Sequence, residues 1–139
     1  MSYTTSDVKI RILVVDDEPD ILLGLNALLE QRGHYVKTFH KAASALEHLT
    51  SAGGPQYDLL ITDYRMPGGI SGLDLAKRVK KDTSRRRTKV FLITAFDISA
   101  SPEFAEALET EVVDEFLQKP IPNDKLIAII EKSFLRNNH

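Results

Sequence analysis

Three aspartates, one threonine and one lysine are the residues of this sequence that could do chemistry together. They are Asp16, Asp17, Asp63, Thr94 and Lys119. Each follows or closes an apolar run, so the five would meet if those runs were parallel strands of one sheet. Three carboxylates held together repel one another, and a hard divalent cation removes the conflict. Mg²⁺ fits because it takes oxygen ligands and keeps several waters, and Mn²⁺ is the alternative.

The reaction that such a site favours is transfer of a phosphoryl group onto a carboxylate. The transferring group spreads its charge over three oxygens, so it needs a metal, a cation and a hydroxyl placed in advance. Asp63 would be the nucleophile, with Asp16 and Asp17 on the metal. Lys119 would supply the cation and Thr94 the hydroxyl. Each residue alone has an ordinary explanation, such as a helix start or a solvated loop, and the interpretation depends on their conjunction.

The elements that must position these residues follow from the hydrophobic pattern. Apolar runs of strand length alternate with stretches in which apolar residues recur at helical spacing. The predicted strands are 10–15, 35–39, 59–62, 90–94 and 112–117, and the predicted helices begin at Pro19, Ala42, Leu73 and Pro102 and after a cap at Asn123. Strands that are apolar throughout indicate a sheet covered on both faces. Right-handed crossovers then give an α/β fold with a doubly wound parallel sheet, which binds ligands at the carboxyl ends of its strands.

Composition bounds the remaining possibilities. The chain has 139 residues, 42% of them hydrophobic, which predicts one domain with a core of about 10–135 and polar tails at 1–8 and 136–139. No apolar run approaches the roughly 20 residues of a membrane helix. No cysteine occurs, and no histidine stands at the strand ends, which argues against zinc or copper. We expect a soluble, cytoplasmic protein that does not bind membranes.

The net charge of −2 hides a basic run over 77–89 and an acidic stretch over 97–115. Both could simply be solvated surface. Alternatively, the acidic stretch docks a basic surface of a partner. The basic run has no interleaved aromatic residue before Phe91, and no DNA-binding module follows it, so direct binding of nucleic acid is not expected.

As an ordered set, the motifs of this chain resemble the receiver domain of two-component response regulators. They are Val-Val-Asp-Asp-Glu (14–18), Asp-Tyr-Arg-Met-Pro-Gly (63–68), Thr94-Ala95 and Phe-Leu-Gln-Lys-Pro (116–120), and the similarity runs from Ile10 to Phe134. The resemblance implies a flavodoxin-like (βα)5 fold with strand order 2-1-3-4-5. It implies phosphorylation of Asp63 by a histidine kinase or a histidine phosphotransfer protein. Such a domain is not an enzyme beyond catalysing its own phosphorylation and dephosphorylation.

The resemblance also implies roles for individual residues. The metal would be held by Asp17 and Asp63, often by Asp16 through water, and by the backbone carbonyl of Arg65. The Lys119–Pro120 peptide bond would be cis. On phosphorylation Thr94 would move toward the phosphoryl oxygens and Phe116 would turn inward behind it. The surface of the fourth helix, fifth strand and fifth helix would then change and bind a downstream protein target.

Two departures from the family pattern affect what is expected. The loop 66–72 is one residue longer than the commonest form, and the stretch from Thr94 to Lys119 is also longer. Arg65 and Phe96 are bulky and occupy positions that commonly tune the lifetime of the phosphoryl group, so we expect them to shield it from water. The chain ends soon after the last helix with no output domain, as either a stand-alone receiver or part of a longer protein. It would be a monomer or a phosphorylation-dependent dimer.

Three other functions compete with a phosphorylation switch. A phosphohydrolase of the haloacid dehalogenase kind would want Asp-x-Asp after the first strand, whereas this chain has Asp-Asp-Glu-Pro and no length for a cap. A flavodoxin-like cofactor binder needs a phosphate loop at that turn, where Asp16, Asp17 and Glu18 would repel phosphate. A receiver that only docks other proteins would not need all five site residues.

Overall fold

The computed structural model describes residues 8–51, 54–65, 69–85, 87–95 and 101–135. Strands and helices alternate along the chain: β1 (Arg11–Val15), α1 (Pro19–Gln31), β2 (Tyr35–Phe39), α2 (Ala42–Thr50), β3 (Leu59–Asp63), α3 (Gly72–Lys81), β4 (Lys89–Thr94), α4 (Pro102–Glu109), β5 (Glu115–Gln118) and α5 (Asn123–Phe134). A short 3-10 helix spans Thr83–Arg85 before β4. The strands pair in parallel in the order β2-β1-β3-β4-β5, which confirms the predicted fold class.

Alternation along the central strands supplies both faces of the sheet. In β1, Leu13 and Val15 face a core cluster built with α2, α3 and α4. Ile12 and Val14 face a second cluster that contains residues of α1 and α5. All four are at most 1% exposed, and burial of such a side chain contributes about 1.5–3 kcal/mol. None of the helices in the described part of the chain combines the length and apolar character needed to cross a bilayer.

Local sequence signals set several helix ends. Gly33 has φ +92° and follows α1, and the amide of His34 donates to the carbonyl of Leu29 across the turn. Helix α4 begins at Pro102, as predicted, and Ser101 caps it by accepting from the amide of Phe104. Ser71 and Asp74 form a reciprocal capping box at the start of α3. Side-chain caps therefore fix where α3 and α4 begin.

The starts of the fifth strand and the fifth helix were predicted wrongly, and several other boundaries differ from the prediction by a single residue. The fifth strand begins at Glu115 rather than at residue 112. Val112 and Val113 instead donate their amides to the carbonyl of Ala107, which closes the end of α4. Asn123 is the first residue of α5 and not its cap, because Pro122 precedes the helix and no side chain caps it. Of the predicted loop 66–72, the first three residues lie outside the described ranges.

Arg85 is buried, although the sequence grouped it with a basic surface run. Its guanidinium donates to the carbonyls of Leu49 and Pro55 and lies 3.4 Å from the carboxylate of Asp82. Only 6% of the residue is exposed. The side chain therefore satisfies carbonyls at the end of α2 and in the loop that follows, and joins them to the turn before β4.

We expect Arg85→Ala to lower the free energy of unfolding by about 2–3 kcal/mol, because two buried carbonyls would lose a charged donor. The measurement is urea denaturation followed by far-UV circular dichroism. Arg87→Ala is the matched control, since Arg87 lies two residues away and is exposed, and it should change stability by less than about 0.5 kcal/mol. Equal effects of the two substitutions would contradict the assigned role.

Candidate functional site

The five chemically competent residues converge at the carboxyl edge of the sheet, as predicted. Asp16 and Asp17 directly follow β1, Asp63 ends β3, Thr94 ends β4, and Lys119 directly follows β5. Backbone hydrogen bonds continue past the strand ends and fix their relative positions. The amide of Lys119 donates to the carbonyl of Thr94 at 2.8 Å, and the amide of Tyr64 donates to Ile93 at 2.7 Å.

The ammonium group of Lys119 lies among three carboxylates. Its Nζ is 3.1 Å from Asp16 Oδ2, 3.2 Å from Glu18 Oε2 and 3.4 Å from Asp63 Oδ2. Asp16 is 1% exposed, and its other oxygen accepts from the amide of Glu18 at 2.9 Å. The turn after β1 therefore aims one oxygen of Asp16 into the site and uses the other to hold its own backbone.

Burial and the repulsion between like charges raise the pKa values of the buried acidic groups. The pKa of Asp63 is raised to about 6, mainly by burial and then by the negative charge of Asp16, against the opposing effect of Lys119. Burial also raises the pKa of Asp16, while the amide of Glu18 and the Lys119 ammonium oppose the rise. Burial alone would lower the pKa of Lys119, but contact with Asp16 and Asp63 raises it overall. Negative charge is thus in excess at this site.

The donor set fits a hard divalent cation. Asp16, Asp17, Glu18 and Asp63 each offer a carboxylate oxygen, and these oxygens lie within 4.8 Å of one another. Lys119 is the ammonium that balances them, so three negative charges remain when all four acids are ionised. Oxygen-only donors and uncompensated negative charge are what Mg²⁺ and Mn²⁺ require.

A cleft of about 510 Å³ opens over the end of β3, at Asp63. Asp17, Asp63, Thr94 and Lys119 line it together with Glu18, Arg65 and Ala95. Thr94 is buried, and Arg65 is exposed at the rim. Phe96, predicted to tune the phosphoryl lifetime, lies outside the described residues. The cleft has room for a small anionic group beside Asp63.

Gly72 allows the start of α3 to lie against Asp63 at the end of β3. A Cβ at this position would lie 1.9 Å from the carbonyl oxygen of Asp63, so no larger residue fits without moving backbone. The amide of Gly72 donates to the carbonyl of Tyr64 at 2.9 Å. The N-terminus of α3 therefore packs directly against the end of β3 at Asp63.

Three aromatic rings in contact connect the loop after Asp63 to β5. The ring of Tyr64 meets that of Phe104 edge-on at 5.0 Å, and the ring of Phe104 stacks on Phe116 at 4.8 Å. The Tyr64 hydroxyl donates to Glu103 at 3.3 Å. Phe116 is partly buried and packs against the core cluster that includes Phe104. Phe104 of α4 therefore lies between Tyr64, which follows Asp63, and Phe116, the predicted switch residue.

Sequence reasoning missed the contributions of Glu18, Tyr64 and Phe104. Glu18 lies next to the aspartate pair, and its acidic type after two aspartates was the available signal. Tyr64 and Phe104 carry no local signal, because their contact joins residues 40 positions apart in the chain. The turn after β1 is acidic throughout, which excludes a flavodoxin-like phosphate loop there. The cis Lys119–Pro120 bond is present, as the resemblance implied.

Comparison with known proteins agrees with this geometry. A family model described as "Response regulator receiver domain" matches residues 12–131. The transcriptional regulatory protein FixJ of Bradyrhizobium diazoefficiens is 34% identical over 126 residues, which cover 90% of this chain and 57% of FixJ. The chain therefore spans little more than half the length of this curated relative.

Two solved structures share the fold and part of the sequence. The response regulator protein TrrA of Thermotoga maritima, solved in complex with Mg(2+)-BeF, has a TM-score of 0.70 and 34% identity, covering 88% of this chain and 96% of that one. A CheY-like receiver domain protein from Methanospirillum hungatei has a TM-score of 0.77 and 25% identity, covering 91% and 94%. The likeness extends over nearly the whole of both solved chains.

In chelator, we expect Asp63→Asn to be more stable than wild type at neutral pH, by about 1–2 kcal/mol. The folded-state pKa of Asp63 is raised to about 6, so the folded protein holds a proton that the unfolded chain releases. The wild type should therefore lose stability, relative to the variant, as pH rises from about 4 to about 7. Urea denaturation across this range measures the difference.

The control for this pH dependence is Glu47→Gln, which removes an exposed carboxylate in the middle of α2. Its stability relative to wild type should stay nearly constant over the same pH range. A difference between wild type and Asp63→Asn that is the same at both ends of the range would contradict the electrostatic description of the site.

Proposed function

The chain belongs to the response regulator receiver domain family, and we propose that Asp63 is the carboxylate on which it accepts a phosphoryl group. Receiver domains are the phosphoaccepting modules of two-component systems, and the family binds Mg²⁺. The observation that supports Asp63 is its place among the acids: it ends the central strand β3 and lines the cleft beside Lys119 and Thr94. Asp16, by contrast, is 1% exposed and already holds the turn after β1.

In the proposed reaction, an Asp63 carboxylate oxygen attacks the phosphorus of the donor. A new oxygen–phosphorus bond forms as the donor's bond to phosphorus breaks, and the electron pair leaves with the donor group. Lys119, whose raised pKa keeps it charged, would neutralise an oxygen of the transferring group. Thr94 would donate its hydroxyl to another. Burial keeps these groups in place before the donor arrives.

Asp16, Asp17 and Asp63, with the backbone carbonyl of Arg65, would hold the Mg²⁺ ion, and Mn²⁺ is the alternative. When bound, the ion supplies positive charge to the phosphoryl oxygens. Glu18 would act from the rim of the same cluster, where it already shares Lys119 with the two buried aspartates. The pairing of Lys119 with Glu18 gives the ammonium a partner other than the metal ligands.

The phosphoryl donor would be a histidine kinase or a histidine phosphotransfer protein, because these are the proteins with which receiver domains interact. Residues 10–135 would form one receiver domain. We propose a downstream protein target rather than nucleic acid or a membrane as the partner of the output surface. The chain would work as a monomer or as a phosphorylation-dependent dimer, and its only catalysis would be its own phosphorylation and dephosphorylation.

The proposed switch runs through the aromatic contacts beside the acceptor. Thr94 would move toward the phosphoryl oxygens, and Phe116 would turn further inward behind it. Because Phe104 stacks on Phe116, that movement would be felt in α4. Because Phe104 also meets Tyr64, the loop after Asp63 would bias the same equilibrium. The surface of α4, β5 and α5 would change as one unit.

Two bulky side chains would set how long the phosphoryl group persists. Arg65 is exposed and lines the cleft, where its side chain is in position to cover a group on Asp63. Phe96 follows Ala95, which also lines the cleft. Both residues would slow hydrolysis by keeping attacking water away from the phosphorus.

Incubation with acetyl phosphate and Mg²⁺, followed by intact mass spectrometry, should show one added phosphoryl group. Asp63→Asn should show none, because the nucleophilic oxygen is replaced by an amide, and a chelator should abolish the gain in wild type. Asp124→Asn is the matched control, since Asp124 is exposed in the first turn of α5, and it should be modified like wild type. A phosphoryl group on Asp63→Asn would sink the assignment.

Phe104→Leu should uncouple Phe116, the proposed switch residue, from changes at Asp63. Leucine keeps apolar volume but loses both ring contacts, so beryllofluoride with Mg²⁺, a mimic of the phosphoryl group, should still shift amide NMR signals near Asp63. The shift at Phe116 should fall to less than about half of its wild-type size. Leu108→Ala, on the exposed side of α4, is the control and should keep both responses. An unchanged Phe116 response in Phe104→Leu would exclude the aromatic route.

A further inference from the structure

A surface groove of the described structure lies between α3 and α4, and it shares no lining residue with the phosphoacceptor cleft. Its volume is about 840 Å³. The side of α3 forms one wall and the side of α4 forms the other, and partly or fully buried Ile70, Ala107 and Val112 form the apolar floor. Nothing in the proposed phosphotransfer uses this groove.

The two walls of the groove carry opposite charges. Lys77, Arg78 and Lys81 are exposed on the α3 wall. Glu103 and Glu106 are exposed on the α4 wall. Part of the basic run and part of the acidic stretch, which looked like separate surfaces, therefore face each other across one groove. Asp74, at the start of α3, is the acidic exception on the basic wall and is held in the capping box with Ser71.

These opposite charges do not neutralise each other in the described structure. No ion pair among the described residues joins Lys77, Arg78 or Lys81 to Glu103 or Glu106. The pair that does connect the two sides is at the end of the groove, where Lys80 Nζ lies 3.0 Å from Asp114 Oδ2. Asp114 also accepts from the amide of Val90 at 2.8 Å, so the sheet holds this end in place. Lys80 and Asp114 thus tie α3 to the start of β5, while the exposed basic and acidic side chains of the two walls form no ion pair with each other in the described structure.

We propose that the groove between α3 and α4 binds an amphipathic helix of a partner protein that carries acidic residues along one edge and basic residues along the other. The acidic edge would lie against the α3 wall and the basic edge against the α4 wall. Small apolar residues between the edges would cover the floor at Ala107 and Val112. This is a protein-docking surface distinct from the phosphoryl cleft.

The dimensions and charge of the groove favour this occupant over others. At 1.5 Å per residue, the ten residues of α3 and the eight of α4 give walls about 12–15 Å long, which match two to three turns of a partner helix. A nucleic acid would be repelled by Glu103 and Glu106. The same groove of a second copy is equally concave and cannot fill the first one, so a symmetric groove-to-groove dimer is disfavoured.

The test uses the unphosphorylated protein and two fluorescent helical peptides of about 15 residues. One peptide has alanine and leucine on one face, glutamate along one edge and lysine along the other. The second has the same composition with both charges mixed on each edge. Fluorescence anisotropy should show that the first binds wild type about tenfold more tightly, and that the preference falls with rising salt. The assay does not depend on Asp63, so its failure would leave the phosphoacceptor proposal untouched.

Charge reversal on the protein gives the decisive comparison. Lys77→Glu with Arg78→Glu makes both walls acidic and should weaken binding of the first peptide about tenfold. Adding Glu103→Lys and Glu106→Lys reverses both walls, and binding should return, because the helix can lie in the opposite direction. Lys125→Glu with Lys132→Glu, exposed on α5, should bind like wild type.

Three outcomes would overturn the proposal. The first is equal binding of the two peptides, and the second is binding that the wall reversals leave unchanged. The third is a dimer in sedimentation that the single-wall reversal dissociates, which would make a second copy the occupant. Restored binding in the fourfold variant, with circular dichroism like wild type, would support the groove and its assigned partner chemistry.

Discussion

The site depends on one ammonium group held among carboxylates that repel each other. Lys119 reaches Asp16, Glu18 and Asp63 within 3.4 Å, and it is the residue that makes the burial of Asp16 and Asp63 tolerable. One positive charge cannot balance four acids, so the site keeps an unmet demand for a cation. That residual demand, rather than any single residue, makes the edge of the sheet suitable for binding metal and phosphoryl oxygens together.

The parallel sheet supplies the precision that this arrangement needs. Neighbouring strands lie about 4.8 Å apart, so residues at adjacent strand ends are brought to metal-binding separation without any dedicated loop. Backbone bonds from Tyr64 to Ile93 and from Lys119 to Thr94 extend this spacing past the strands. Gly72 then presses the start of α3 against the carbonyl of Asp63. Asp63 is therefore held on several sides by backbone contacts with β4 and α3.

The hydrophobic pattern predicted a parallel sheet and the five convergent residues, because strand ends follow from local patterns. The strand order, in contrast, came from the family resemblance. Sequence reasoning placed the start of β5 wrongly, since Val112 and Val113 look like strand residues but their amides bond back to Ala107. It treated Arg85 as surface, because only folding brings the carbonyls of Leu49 and Pro55 to its guanidinium. The facing of α3 and α4 was equally invisible, since charge runs in a sequence do not reveal which helices become neighbours.

The burial of Arg85 has a consequence for how the protein responds to acid. The main partners of its guanidinium are carbonyl groups, which do not titrate. The carboxylate of Asp63, with its pKa raised to about 6, loses its charge under mild acidification. Without a bound cation, slight acidification would therefore neutralise Asp63 while the carbonyl contacts of Arg85 stay intact. The charge of the site thus depends on an ionisation on which these scaffold contacts do not depend.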